Sequence, residues 1–256
     1  MIHEQAIIEP GAQIGKNVSI GPWTYIGKDV VIGDDCDIRS NVVIKGPTKI
    51  GKGNTIYQFA TIGEDCQDLK YDGEPTELII GDNNTFRECC TIHRGTIQDD
   101  SLTKIGSNNL FMAYTHVAHD CIVGSHCIMA NNASIAGHVH VGDWAILGGM
   151  VGVHQFCKIG DHAFIAANSL VLKDVPPYVM ASGHGASPFG LNSEGLKRRG
   201  FEKDAILAIR RAYKALYRQG LKVDEALAEI APMVEQYPEV QVFAEFIKSS
   251  NRGIIR

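Results

Sequence analysis

The sequence predicts an all-β stack of short parallel strands followed by a small α-helical region, and two periodicities predict it. Isoleucine occupies positions 8, 14, 20, 26, 32, 38, 44, 50, 56 and 62, a run with a spacing of six. Beyond residue 190 the apolar residues recur instead every three or four positions, as in Ile206, Ile209, Tyr213 and Leu216. The first spacing fits neither an α-helix, with about 3.6 residues per turn, nor a continuously alternating strand. The second is the stripe of an amphipathic helix.

Each six-residue unit reads as a short strand and a turn, with the aliphatic residue pointing into a narrow prism. Gly15, Gly21, Gly27, Gly33, Gly51 and Gly63 follow the isoleucine and are expected to serve the turns, where backbone angles are demanding. Two positions before the isoleucine the residue is small or β-branched, as in Ala6, Ala12, Val18 and Thr24. The phase returns at Ile80, Phe86 and Ile92, slips by one residue, and resumes from Ile105 to Val171. This hexapeptide pattern resembles the left-handed parallel β-helix, in which three units make one coil and coils stack about 4.8 Å apart. The left hand is implied by that resemblance. Cys36, Cys90, Cys121, Cys127 and Cys157 all fall on the small position, so they are expected to be buried, reduced and without disulfide or metal roles.

The repeat covers residues 1–175, with interruptions near 64–77 and 95–104. In the first, Asp68 and Glu74 stand where aliphatic residues belong. Both stretches read as loops leaving the prism, and loops on a rigid scaffold often carry function. Gln67 and Asp68 suit sugar hydroxyls and Lys70 suits a phosphate, although composition alone equally describes a solvated polar loop. Pro176-Pro177 ends the repeat, and Gly and Pro punctuation marks 176–190 as a linker loop. Residues 191–256 are the helical domain, with helices expected over 204–219, 224–237 and 239–250, and with Pro232 placed to kink or split the second. Arg210, Lys214 and Arg218 share one helix face, which fits an acidic partner or a plain solvated surface.

A formal net charge of −5 and a pI near 6.0 argue against a nucleic-acid partner. No apolar run is long enough to form a transmembrane segment. The opening Met-Ile-His-Glu-Gln lacks the basic and apolar regions of a signal peptide, and together with the cysteine pattern this predicts a cytoplasmic protein.

The chemistry concentrates in Thr115-His-Val-Ala-His-Asp120. The coil length places Gly137 one coil from His119 on the same face, His138 against Asp120, and Gln155 two coils away beside His154. His116, His119, His138 and His154 are therefore expected along one edge. An imidazole with a carboxylate partner suits a general base, and a glycine one coil away offers an unencumbered N–H to an oxyanion. Two chemistries fit: acyl transfer by His119, or a zinc site of the kind found in gamma-class carbonic anhydrases.

The segments Ile56-Tyr-Gln-Phe-Ala, Gln67-Asp-Leu-Lys, Thr91-Ile-His-Arg-Gly-Thr, His116-Val-Ala-His-Asp-Cys, Ala136-Gly-His-Val, His154-Gln-Phe-Cys, Asp174-Val-Pro-Pro-Tyr and Glu194-Gly-Leu-Lys-Arg-Arg-Gly resemble the UDP-N-acetylglucosamine acyltransferases of lipid A biosynthesis over nearly the whole chain. The resemblance implies transfer of an (R)-3-hydroxyacyl group from acyl carrier protein to the 3-hydroxyl of UDP-N-acetylglucosamine, in a homotrimer with sites between subunits and without a metal or other cofactor. His119 would be the base, Asp120 its partner and the Gly137 N–H the oxyanion donor. Gln67, Asp68, Lys70, His116, His138, His154, Gln155, Asn192, Glu194 and Arg198 would contact substrate. Ala167 stands where some relatives carry a glycine that limits acyl length, which implies a chain shorter than fourteen carbons. Gly185 stands where relatives often carry a histidine or proline, so a role for a histidine there does not transfer. A 3-amino UDP-sugar acceptor, giving an amide, is the alternative within the family. The related N-acyltransferase carries an extra N-terminal domain, whereas repeats here begin within the first ten residues.

Overall fold

The computed structural model describes residues 1–256. Strands of two to four residues visit three faces in turn: Ile7–Ile8 lies on the first, Gln13–Ile14 on the second, Ser19–Ile20 on the third, and Tyr25–Ile26 is back on the first. The faces are sheets of nine, eight and ten strands, parallel throughout except for one added strand. Ile8 pairs with Ile26, and Ile26 with Ile44, so equivalent aliphatic residues stack down the axis. Ile26, Ile44 and Ile62 are fully buried, and where the pattern substitutes phenylalanine, Phe86 and Phe111 stack with ring centroids 4.9 Å apart. The five cysteines of the small position are buried and all seven are free. Burial pushes the thiols of Cys121 and Cys127 up to about 12, which keeps them protonated and inert.

The corner backbone departs from the sequence expectation. The residue that takes the left-handed conformation lies three positions after the aliphatic one: Asn17, Trp23, Asp29, Asp35 and Asn41 have φ between 55° and 60°. Asn and Asp are among the residues that tolerate this region best. Of the glycines expected to serve the turns, Gly63 does so, with φ 75°. Gly15, Gly21, Gly33 and Gly51 are not left-handed. A Cβ on any of them would come within 2.6–2.7 Å of the next coil's backbone, so close stacking is what excludes a side chain there.

Both interruptions leave the same corner, between faces one and two. The first departs after strand Thr61–Glu64 and returns at Glu77–Ile80, and the second departs after Thr91–His93 and returns at Leu102–Ile105. The second loop is thus shorter than expected, since residues 102–104 are already strand. Thr61 still pairs with Thr91, and Thr91 with His116, so the coil absorbs both excursions. Arg94, buried at the root of the first loop, donates to the Gly63 carbonyl, pairs with Asp65 and reaches the Tyr71 hydroxyl at 3.0 Å.

Residues 176–190 are not a linker loop. Val179–Ser182 continues face three, pairing parallel to Phe164–Ile165, and Ser187–Leu191 adds to it antiparallel. Proline at the end of the repeat changes the corner but leaves the next strand free to pair, with Val179 and Ala181 buried. Four helices follow: α1 Ser193–Arg198, α2 Lys203–Tyr217, α3 Val223–Val234 and α4 Pro238–Lys248. The short α1 precedes the three that the periodicity predicts, and α3 runs through Pro232, which sits too near its end to split it. Ile209, Leu216, Ile230 and Phe243 form the buried centre of the helical region. The tail returns to the prism: Ile254 and Ile255 are buried, and Ser250 Oγ donates to Asp174 at 2.6 Å. No helix is long and apolar enough to cross a membrane.

Candidate active site

Strand His116–Val117 ends face one and Ile122–Val123 begins face two. Between them the chain rounds the corner, with Asp120 in the left-handed conformation at φ 57°. Thr96, at the start of the 95–101 excursion, meets the Asp120 carboxylate, and Asp120 is 3% exposed. Its Oδ2 lies 2.7 Å from His119 Nδ1. The Thr96 N–H donates to Oδ1 at 2.8 Å and the Thr96 hydroxyl to Oδ2 at 2.6 Å. Burial alone would raise the Asp120 carboxyl; the hydrogen bonds from His119 and Thr96, with the nearby His138, outweigh it and hold the group below the usual carboxylate range. An ionised Asp120 accepts, so His119 Nδ1 carries the proton and Nε2 holds the free lone pair.

The Cε1–Nε2 edge of His119 packs over Gly137. A Cβ on Gly137 would stand 2.5 Å from Cε1 and 2.6 Å from Nε2, so this position admits no side chain while the imidazole is in place. The Gly137 N–H has no hydrogen-bond partner in the chain. An activated imidazole and an unpaired amide are thus neighbours on one wall of a cavity of about 480 Å³.

Of the residues expected at the site, Gln67, Asp68, His116, His119, Gly137, His154 and Gln155 line this cavity. Asp120 lies behind it. His138 does not face it: its ring stacks on Phe156 with centroids 4.4 Å apart, its Nδ1 meets Asp99 Oδ2 at 2.8 Å, and it lines a second cavity of about 240 Å³. The four histidines do share one edge, but only His116, His119 and His154 of them line the main cavity. Lys70 is exposed on the outer loop. Asn192, Glu194 and Arg198 sit on another edge, between faces two and three. There Asn192 caps α1, accepting from Gly195 N–H at 3.1 Å, and donates to the His162 carbonyl at 2.9 Å. Ala167 is exposed on the third edge, three positions before Leu170, which lines the main cavity. His184 forms a single bridging pair with Leu170.

Three neighbours escape the sequence reading: Thr96, Asp99 and His93. His93 lines the cavity at 3% exposure, edge-on to His116 with centroids 4.9 Å apart. Burial lowers it to about 4, with further lowering by His116. His116, whose Nδ1 meets Thr91 Oγ1 at 2.7 Å, is also lowered, chiefly by burial. His162, half-buried beside Arg199, is lowered to about 4 as well, by its burial and then by the Arg199 charge. Between that value and 6.5 the unfolded chain takes up protons at these positions and the folded chain does not. Stability is therefore expected to rise with pH from about 4 to 6.5 and then level off. Denaturant midpoints at a series of pH values check this; His93→Gln should flatten the slope, and an unchanged slope would contradict it.

His119, Asp120 and His138 are also the one trio of metal-ligating side chains that gathers closely, within 4.8 Å. Their geometry suits a hydrogen-bonded relay better than a metal centre. His119 Nδ1 and Asp120 Oδ2 are 2.7 Å apart, whereas two ligands each about 2.0–2.1 Å from a tetrahedral zinc are separated by more than 3 Å. Both Asp120 oxygens also already accept hydrogen bonds.

The family model described as UDP N-acetylglucosamine O-acyltransferase, domain 2, matches residues 174–255, and the bacterial transferase hexapeptide model matches 11–46 and 102–137. LpxA from Acinetobacter baumannii is similar at 52% identity and a TM-score of 0.97, covering 100% of this chain and 99% of that one. UDP-N-acetylglucosamine O-acyltransferase (LpxA) from Moraxella catarrhalis RH4 is similar at 50% identity and a TM-score of 0.98, with the same coverage. The Arabidopsis UDP-N-acetylglucosamine acyltransferase is similar at 38% identity and a TM-score of 0.87, covering 100% of both chains. A three-faced parallel coil, a helical C-terminal region and these full-length likenesses together make the chain a left-handed parallel β-helix that belongs to the UDP-N-acetylglucosamine O-acyltransferase family.

Proposed function

We propose that this protein moves an (R)-3-hydroxyacyl group from acyl carrier protein to the 3-hydroxyl of UDP-N-acetylglucosamine, the first step of lipid A biosynthesis, in the cytoplasm. The observation that carries this reading is the pairing of His119, bound through Nδ1 to a buried carboxylate, with the unpartnered N–H of Gly137 on the same cavity wall. His119 Nε2 takes the proton of the sugar hydroxyl as its oxygen attacks the thioester carbonyl carbon. The carbonyl oxygen gains negative charge, which the Gly137 N–H stabilises. The C–S bond then breaks, the acyl group stays on the sugar oxygen as an ester, and the proton on His119 passes to the departing thiolate. Asp120 keeps Nδ1 as a donor and stabilises the imidazolium between the two proton transfers.

Gln67 and Asp68 reach the cavity from the first loop and are assigned to the sugar, with Lys70 and the far-edge Asn192, Glu194 and Arg198 assigned to the nucleotide. In one chain these last groups lie on a different edge from His119, which supports a homotrimer in which each site takes its base from one subunit and nucleotide contacts from the next. Mixing inactive His119→Ala and Arg198→Ala subunits, with dissociation and reassembly, tests this. Activity should return in the mixture, and a mixture that stays inactive would sink the shared site.

Arg210 and Lys214 are exposed on α2 and Arg218 is exposed at its C-terminal cap, and the three are assigned to the acidic carrier protein. Ala167 is assigned to limiting the acyl chain below fourteen carbons. Assays with carriers bearing ten, twelve and fourteen carbons separate the two roles. Reversing the three charges should raise KM for every carrier alike, whereas Ala167→Gly should shift preference to the longer chain. Unchanged KM or unchanged preference would remove the corresponding assignment.

A further inference from the structure

We propose that the loop over 95–101 is a positioning device for the catalytic corner, in which Thr96 fixes the carboxylate of Asp120 and Asp99 fixes the ring of His138. The proposal rests on the reading of His119 as the general base. Thr96 gives both of its donors to one carboxylate, its N–H to Oδ1 at 2.8 Å and its hydroxyl to Oδ2 at 2.6 Å. Both residues are buried, at 2% and 3% exposure, so water does not compete for these bonds. A carboxylate held at both oxygens has lost its freedom to turn about Cβ–Cγ, and the oxygen that faces His119 is fixed in direction. The coil itself holds the backbone of the corner, with Thr103 Oγ1 accepting from the Asp120 N–H at 2.8 Å and the His119 carbonyl accepting from the His138 N–H at 3.1 Å.

The same loop reaches the second group. Asp99 Oδ2 meets His138 Nδ1 at 2.8 Å, while His138 Nε2 lies 3.8 Å from Asp120 Oδ2. The His138 ring is thereby held between two carboxylates, flat on Phe156 and perpendicular to His119 with centroids 5.1 Å apart. The loop is short and its root is closed: a Cβ on Gly95 would overlap the Leu102 amide, so the two ends of the excursion touch. An element anchored this tightly, whose polar side chains end on the base's partner and on the imidazole beside the base, sets the orientation of both.

Oδ2 of Asp120 accepts from Thr96 and His119 together, and the hydroxyl therefore draws off part of the charge that His119 would otherwise meet alone. The other titratable groups near this pair are His93, His116, His138 and Cys66, with Asp99 beyond His138. All of them are retained in Thr96→Val, which removes only the hydroxyl. That variant should lose about tenfold in kcat with KM for the sugar nucleotide little changed. Its kcat/KM profile should have the acid limb moved to higher pH, because the bared carboxylate favours the imidazolium form of the base. Thr96→Ser should restore both. Asp99→Ala should add nothing to His138→Ala if Asp99 acts through that ring. A Thr96→Val enzyme with the parental kcat and pH profile, beside an inactive His119→Ala, would overturn the proposal and leave the base assignment standing. Additive losses for Asp99 and His138 would overturn the second half. Full turnover by His119→Ala would remove the reading beneath both.

Discussion

His119→Ala is expected to lower kcat by about 10²–10⁴-fold, the usual contribution of a positioned general base. At about 1.36 kcal/mol per factor of ten, that is roughly 3–5 kcal/mol of transition-state stabilisation. KM for the nucleotide should change little, because the contacts assigned to the nucleotide come from the first loop and from another edge, not from His119. The side chain is only partly exposed, but it sits outside the prism core, so coil stability should survive and the circular dichroism of the variant should match the parent. Steady-state kinetics on the folded variant decides the matter, and near-normal turnover would remove His119 from the mechanism.

Gly137→Ala is expected to cost about 10²-fold or more in kcat. The backbone does not resist the change, since Gly137 is not in the left-handed region. The added methyl instead occupies space held by the imidazole, 2.5 Å from Cε1 and 2.6 Å from Nε2. The ring must swing away from the hydroxyl it is to deprotonate, and a displacement of about 1 Å at a reacting group costs on the order of 10²-fold. The loss should therefore vanish in combination: His119→Ala with Gly137→Ala should be little worse than His119→Ala alone. A fully active Gly137→Ala enzyme would mean that the base does not work from the position seen here.

The parts of this site that were legible in the sequence are those separated by uninterrupted coil. Gly137 follows His119 with no excursion between them, so counting residues places one over the other, and the same count brings His154 and Gln155 to the cavity. Counting fails across the excursions. Thr96 and Asp120 are 24 positions apart and Asp99 and His138 are 39, intervals that bear no simple relation to the coil. It also places a residue on an edge without saying which way its ring turns, and His138 turns toward Phe156 because that ring offers a flat partner at 4.4 Å. The turn glycines show the same limit. A period of six demands a small residue at Gly15 or Gly33, but only the neighbouring coil, within 2.7 Å of the missing Cβ, shows that approach and not dihedral angle is the reason. The hairpin at Val179–Ser182 and Ser187–Leu191 was hidden by its Gly and Pro content: Gly183 and Gly185 make the turn, but Pro188 and Gly190 lie within the second strand, which is an added edge strand where such residues are tolerated. Asn192, Glu194 and Arg198 came from resemblance alone, since no count along a single chain joins their edge to that of His119.

The most direct test of the central claim is the bond that the enzyme makes. Parent protein and His119→Ala are incubated with UDP-N-acetylglucosamine and 3-hydroxyacyl carrier protein, with and without a strong chelator, and the product is read by mass spectrometry before and after mild alkali. The account predicts one acyl adduct that alkali cleaves, an ester, formed equally with and without chelator by the parent and nearly absent with His119→Ala. An adduct that forms only on a 3-amino sugar nucleotide and survives alkali, or one that chelator abolishes, would contradict it.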